Sequence, residues 1–347
     1  MRALCLTATR GTDHLALCDM PVPALTDPGE VRVAIKTVAL NHLDLWVAEG
    51  LPAVPIKSFP HVVGADGAGV VTECGAAVTH VSVGDRVVIN PGISCGHCEA
   101  CIALDEPFCR EFALLGEHRH GTAAEQVVLP GRNVLRIEGE WSWAEAAAFS
   151  LVTLTAWRML AHRARIKAGE VVLIWGAGGG VALQALQIAR HLGARVAVTS
   201  SSDAKLAQTT ALGAELLINH REEPDVPAAV RTHFGRRADV VVDTVGAPTW
   251  ARSLKALRPG GRYVTCGATG GHDVALDLRR LFWFQWSILG STMGSSVEFG
   301  EIVSLGNRGL LRPVIDAVYP LAEGADAYRR LGDAQQFGKL VLEVDRD

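Results

Sequence analysis

The segment "SCGHCEACIALDEPFC", Ser94 to Cys109, places Cys95, Cys98, Cys101 and Cys109 within sixteen residues. With spacing C-x2-C-x2-C-x7-C, four thiolates on one short loop can close a tetrahedral zinc site unaided. Gly96 lets the chain turn tightly between ligands. An iron–sulfur cluster is the rival, since three cysteines at this spacing also occur in ferredoxins. That motif puts proline after its fourth cysteine, whereas Arg110 follows Cys109. His97 is a further possible ligand that four thiolates do not need. A site of four thiolates has no open position for substrate, so one structural zinc per chain is expected.

A second segment, "GAGGGVALQALQIA", begins at Gly176. Glycines at a strand-to-helix turn let the backbone approach a pyrophosphate, which then rests on the helix N-terminus. Gly178, Gly179, Gly180 and Val181 are the expected contacts. A strand precedes the turn, a helix follows, and another strand comes about 20 residues on, as a dinucleotide fingerprint requires. That next strand ends "VAVTSSSDAK". Ser200 stands where NAD sites usually carry an acid for the ribose 2′-hydroxyl. Ser201, Ser202 and Lys205 follow, and hydroxyls with an ammonium suit a 2′-phosphate. Asp203 lies past the strand end. The expected cofactor is NADPH.

These sites need elements to hold them. Residues 1 to about 130 are β-rich, with short runs such as "VRVAIKTVAL", "GAGVVTECG" and "DRVVIN" between Gly and Pro. A helical "WAEAAAFSLVTLTAWRML" follows. Apolar strands at 171–176, 195–200, 215–219, 239–246, 262–267 and 287–291 then alternate with helices. That pattern means a parallel sheet covered on both faces. Near residue 297 the texture changes again and ends in the strand "FGKLVLEV". At 347 residues, 49% hydrophobic and 20% charged, the chain calls for two domains.

The net charge of −4 and scattered Lys and Arg offer no footprint for nucleic acid. No run is long and apolar enough for a membrane span, and the first twenty residues lack a signal-peptide pattern. A cytoplasmic protein acting on a small-molecule substrate is expected. Cys5, Cys18, Cys74 and Cys266 are dispersed among apolar neighbours and read as small hydrophobes.

Together these residues resemble the zinc-containing medium-chain alcohol dehydrogenase and quinone reductase superfamily, over nearly the whole chain. The carriers are "GADGAGVV", "VGDRVV", the four-cysteine lobe, "GTAAEQVVLP", "LTAWRML", "GAGGGVALQALQIA", "LGAELLIN", "GGRYVTCG", "ILGSTMGS" and "FGKLVLEV". The resemblance implies an α/β protein. A GroES-like catalytic domain would take 1–130 and 297–347, with its zinc lobe at about 91–112. A Rossmann cofactor domain would take 145–296. The pyrophosphate turn would run from Ala177 to Ala182, two positions where glycines are common. Thr155, Ser291 and Met293 would add to the cofactor site. A homodimer or homotetramer is implied, with edge strands pairing near "RRLFWFQWSILGSTMGS"; most of that stretch reads as core plus subunit interface.

The chain also departs from the family. Family alcohol dehydrogenases hold a second, catalytic zinc with a cysteine, a histidine and a further cysteine or acid. Those places fall at Asn41, Ala65 and at or near Leu151, and such side chains do not replace thiolate and imidazole. "NHLDLW" and "LTAW" look instead like the zinc-free quinone reductase branch, which normally lacks the cysteine lobe. Asp44, His61, Asp66, His118 and His120 lie in segments from which a second metal site could be rebuilt. Without that metal, unactivated alcohols are poor substrates, whereas quinones and conjugated enones or enals accept hydride with help from hydrogen-bond donors alone. Asn41 is the expected donor to the carbonyl, and His42 and Asp44 the expected proton relay. The rival functions are a metal-dependent alcohol or aldehyde dehydrogenase and an NADPH-binding sensor with little turnover.

Overall fold

The ten-residue strand β1, Glu30–Ala39, organises the first half of the chain. Val31, Val33 and Ile35 point inward while Glu30, Arg32, Ala34 and Lys36 are part-exposed, the alternation of a strand with one buried face. The structure is a computed structural model and describes residues 1–8, 11–50, 56 and 58–344.

β1 pairs antiparallel with β2, Asp66–Cys74, in a register that sets Ala39 against Asp66. Gly64 precedes this strand at φ 90, and a Cβ there would lie 2.9 Å from Val38 Cγ1, so the entry turn requires glycine. On its other edge β1 pairs with Gln126–Pro130 and with the tail strand Lys339–Glu343. The tail register is Val341 to Ala39 and Leu342 to Val38, with Leu40 N donating to Leu340 O at 2.9 Å. Continued two residues along, it brings Lys339 beside Asn41. The C-terminus thus completes the sheet begun at residue 30. Leu4, Leu6, Val31, Val33, Ile35, Val38, Val71, Ile89, Tyr328, Leu340 and Leu342 fill the core beneath it.

The second unit is built on six parallel strands: β3 (Val171–Ile174), β4 (Arg195–Ser200), β5 (Leu216–Asn219), β6 (Ala238–Val242), β7 (Leu257–Thr265) and β8 (Ser287–Gly290). Their order is β5-β4-β3-β6-β7-β8, the doubly wound arrangement of dinucleotide-binding sheets. β3 and β6 are buried along their full length, as strands covered on both faces must be. The fold is α/β, and all six strands fall within or across the segments expected from sequence.

The compact units are Met1–Val152 with Gly294–Asp347, and Thr153–Met293. The boundary falls inside one continuous helix, Trp143–Trp157, and not in the 131–144 gap between the expected domains. Among the described residues no helix is long and apolar enough to cross a membrane.

Candidate functional site

The cysteine lobe is anchored by a short hairpin, Gly92–Ile93 against Ala113–Leu114, with Asn133 Nδ2 donating to Gly92 O at 2.7 Å. All four Sγ atoms lie within 4.8 Å of one another, with Cys95 to Cys101 at 3.8 Å and Cys98 to Cys101 at 3.6 Å. Tetrahedral zinc with Zn–S near 2.3 Å sets its sulfurs about 3.8 Å apart, so the cage fits that ion. Disulfide bonds near 2.05 Å are excluded. Backbone N–H groups point at the sulfurs: Gly96 N to Cys101 at 3.3 Å, Cys98 N to Cys95 at 3.4 Å and Glu111 N to Cys109 at 3.4 Å. Such donors favour thiolate, and the Cys101 backbone N–H leads in pulling Cys98 down to about 6, whereas burial pushes Cys109 up to about 11 against its own N–H donors. His97 turns its Nδ1 onto Cys95 O at 3.1 Å. Four thiolates fill the coordination sphere, so zinc here would clamp the lobe and leave no position for substrate.

At the head of β1, Asn41 is the N-cap of α1, His42–Glu49. Asn41 N donates to Asp44 Oδ2 at 2.7 Å, the backward half of a capping box. The Asn41 side chain is buried and fully engaged. Its Nδ2 donates to Ala39 O at 3.2 Å and to Asp66 Oδ2 at 3.0 Å, and its Oδ1 accepts from Lys339 Nζ at 2.5 Å. Lys339 Nζ also reaches Asp66 Oδ2 at 3.3 Å, and Leu151 N donates to Asp66 Oδ1 at 2.8 Å. Burial raises the Asp44 carboxyl to about 7, against the pull of the Asn41 N–H and the Lys339 charge. It raises Asp66 and lowers Lys339 as well.

Two expectations change at this point. Both amide protons of Asn41 are committed within the chain, so the amide presents no spare donor in this geometry. His42 and Asp44 are not joined, because His42 is exposed, edge-on to Trp46 at 5.5 Å, while Asp44 faces the interior. Lys339 went unnoticed in the sequence, where it is one lysine in an apolar strand.

The residues from which a second metal site could be rebuilt do not converge. The His61 and His120 rings lie 5.2 Å apart, tilted by 36°, with His61 Nε2 on Gly116 O and His120 Nδ1 accepting from Val62 N. His118 Nδ1 accepts from Leu114 N, and Asp44 and Asp66 belong to the lysine cluster. Among the described residues, groups of three metal-ligating side chains occur only in the cysteine lobe.

In the other unit, the turn after β3 carries Gly176 at φ 77 and Gly178 at φ 119, left-handed values that need glycine. Helix α2, Gly180–His191, starts there with no side-chain cap and no acid in its first turn, which leaves backbone N–H groups for a pyrophosphate. At the end of β4, Ser200 is buried and its Oγ accepts from Ser202 N at 3.3 Å. Ser202 Oγ in turn caps Lys205 N at 3.4 Å, and Asp203 is drawn onto Asn219 Nδ2 at 2.8 Å. Thr155 Oγ1 and Met293 Sδ lie 3.9 Å apart, and the buried Ser291 Oγ has no partner among the described residues. A glycine cradle, an uncapped helix and an orphaned hydroxyl fit a dinucleotide.

Fold and site define a chain with a four-thiolate lobe that fits zinc and a doubly wound unit that fits a dinucleotide. The alcohol dehydrogenase GroES-like domain model matches residues 27–139 and the zinc-binding dehydrogenase model residues 180–308. The chain is 31% identical over 341 residues to an NAD-dependent alcohol dehydrogenase of Sulfolobus acidocaldarius, covering 96% of this chain and 97% of that one. A crystal structure of an NAD-dependent alcohol dehydrogenase superposes with TM-score 0.95 at 44% identity, covering 99% of this chain and all of that one. The 2-octenoyl-CoA carboxylase reductase CinF, in complex with NADP and 2-octenoyl-CoA, superposes with TM-score 0.91 at 29% identity, covering 99% and 87% of the two chains. The chain belongs to the zinc-type alcohol dehydrogenase superfamily and is an NAD(P)H-dependent oxidoreductase.

Proposed function

We propose that this protein is an NADPH-dependent reductase of quinones or α,β-unsaturated carbonyl compounds that works without a catalytic zinc. One observation carries the reading. The places where the family resemblance puts catalytic-zinc ligands fall at Asn41, Ala65 and at or near Leu151, and the lysine ammonium bonded to Asn41 and Asp66 would repel a second cation there.

A reduced nicotinamide dinucleotide, held at the turn after β3 and the start of α2, would supply the hydride for the electrophilic carbon; the chain must then steady the electron pair that shifts onto the carbonyl oxygen and supply one proton. Charge spread onto that oxygen needs only hydrogen-bond donors. Asn41 is the donor: its longer bond, to Ala39 O, is exchanged for one to the substrate carbonyl. His42, exposed at the start of α1, delivers the proton, and Asp44 braces Asn41 from inside. The serine-rich end of β4 and the diversion of Asp203 onto Asn219 favour a 2′-phosphate, although the alcohol dehydrogenases compared above are described as NAD-dependent.

We also infer a homodimer. β8 is the last strand of its sheet, and beside it Leu278, Phe282 and Trp283 are 66%, 68% and 75% exposed. A second copy pairing along this edge would cover them. A reducing cytoplasm suits the thiolate lobe.

The test is NADPH oxidation against quinones, enones, simple aldehydes and alcohols, with metal analysis of the same sample. Turnover of quinones or enones with one zinc per chain supports the reading. Turnover of simple alcohols by a protein holding two zinc ions overturns it.

A further inference from the structure

An ammonium can only donate hydrogen bonds, and a carboxylate can only accept them. Lys339 Nζ at 2.5 Å from one end of the Asn41 amide therefore fixes that end as oxygen, and Asp66 at 3.0 Å from the other fixes it as nitrogen. The amide cannot flip while both charges are in place. Lys339 is 3% exposed and Asp66 0%, so water does not screen the pair. Buried lysines are rare unless paired, and this one divides its donors between a carboxylate and a neutral amide.

We propose that Lys339 is a positioning residue for the reduction: it sets which face of the Asn41 amide carries the N–H groups and polarises the N–H that engages the substrate carbonyl. A donor at Oδ1 draws electron density from Nδ2 and strengthens the bonds Nδ2 donates. The positive charge is tethered to the chain, 298 residues from the amide on which it acts. Register enforces the placement, because the tail strand pairs with β1 so that Leu342 faces Val38 and Val341 faces Ala39. The inference rests on the reading above that Asn41 is the donor.

The experiment is a double-mutant cycle with Asn41→Ala and Lys339→Met, read as kcat on an enone or quinone and as NADPH Kd by calorimetry. Lys339→Met should lower kcat about ten-fold or more while Kd stays within about two-fold, the split expected of a lysine that acts through Asn41. The double variant should be no slower than Asn41→Ala alone. Losses that multiply, or wild-type kcat in Lys339→Met, would overturn the proposal. Lys339→Met strands a buried carboxylate, so Lys339→Met with Asp66→Asn is measured beside it as a neutral pocket. The same fall in kcat is expected there, with folding intact by thermal unfolding, and wild-type turnover in that variant also overturns the proposal. Failure of the reading on which this rests shows separately, in the substrate panel and metal content of the unaltered protein.

Discussion

Lys339 Nζ lies 2.5 Å from Asn41 Oδ1, joining the C-terminal strand to the N-cap of α1 across 298 residues of chain. The contact closes a buried cluster of Asn41, Asp66, Asp44 and Lys339 in the catalytic unit. Four predictions rest on the geometry around it, on the cysteine lobe and on the end of β4.

Replacing Asn41 by Ala removes the proposed donor. Loss of one preorganised donor to a developing oxyanion costs about a hundred-fold in kcat. That fall is expected on enone substrates, with NADPH affinity unchanged, because Asn41 belongs to the catalytic unit and the glycine turn to the other. Stopped-flow single turnover separates this from slow product release. A variant reducing enones at the wild-type rate would remove Asn41 from the mechanism.

Asp44 makes stability depend on pH. Its carboxyl stands at about 7 in the folded chain because of burial, against about 4 when unfolded. Between those values the folded state holds a proton that the unfolded state has released. This contribution to stability is therefore complete below about pH 4 and fades as pH rises to about 7. Lys339, Asp66 and Tyr328 are the ionisable groups interacting with it. Asp44→Asn keeps an oxygen for the Asn41 N–H and has no proton to lose. Its Tm should fall less than the wild-type Tm between pH 5 and pH 8.5, by about 2–5 °C. Parallel Tm curves for the two proteins would refute the assignment.

The cysteine lobe should hold one zinc. Cys101→Ser removes a buried ligand and is expected to give a protein with less than a tenth of the wild-type zinc content and a lower Tm. The four-thiolate cage has no catalytic position, so any loss of activity should track loss of folded protein. Metal analysis with thermal unfolding checks both. Stoichiometric zinc in the variant would contradict the cage.

Ser200→Asp installs a carboxylate at the end of β4. It should hydrogen-bond a ribose hydroxyl and repel a 2′-phosphate, shifting the ratio of NADPH to NADH affinity by about ten-fold or more towards NADH. Calorimetric titration with both cofactors measures the ratio. Wild-type protein binding NADH at least as tightly as NADPH would reverse the cofactor assignment.

What could be read from the sequence follows the distance over which each feature is built. The zinc cage spans Cys95 to Cys109, and the glycine turn spans a few residues between β3 and α2. Both follow from local spacing, and the six parallel strands follow from apolar runs between helices. Less could be read where a residue's neighbours come from elsewhere. Asn41 looked like a free amide because neither Asp66 nor Lys339 is near it in the chain. Asp44 looked like a partner for His42, two residues away, yet the α1 geometry turns one inward and leaves the other exposed. In "RRLFWFQWS", Trp286 enters the core while Trp283 remains outside, a division that depends on how a seven-residue helix sits against β7.

The sequence by itself determined a four-thiolate lobe, a dinucleotide turn and an α/β fold, because each is encoded in residue types at short spacing. The tertiary structure alone decided what surrounds Asn41. Antiparallel pairing between β1 and the tail strand, a long-range register that no local pattern specifies, carries one lysine into a buried site where it bonds Asn41 and Asp66 and lies within reach of the Asp44 charge.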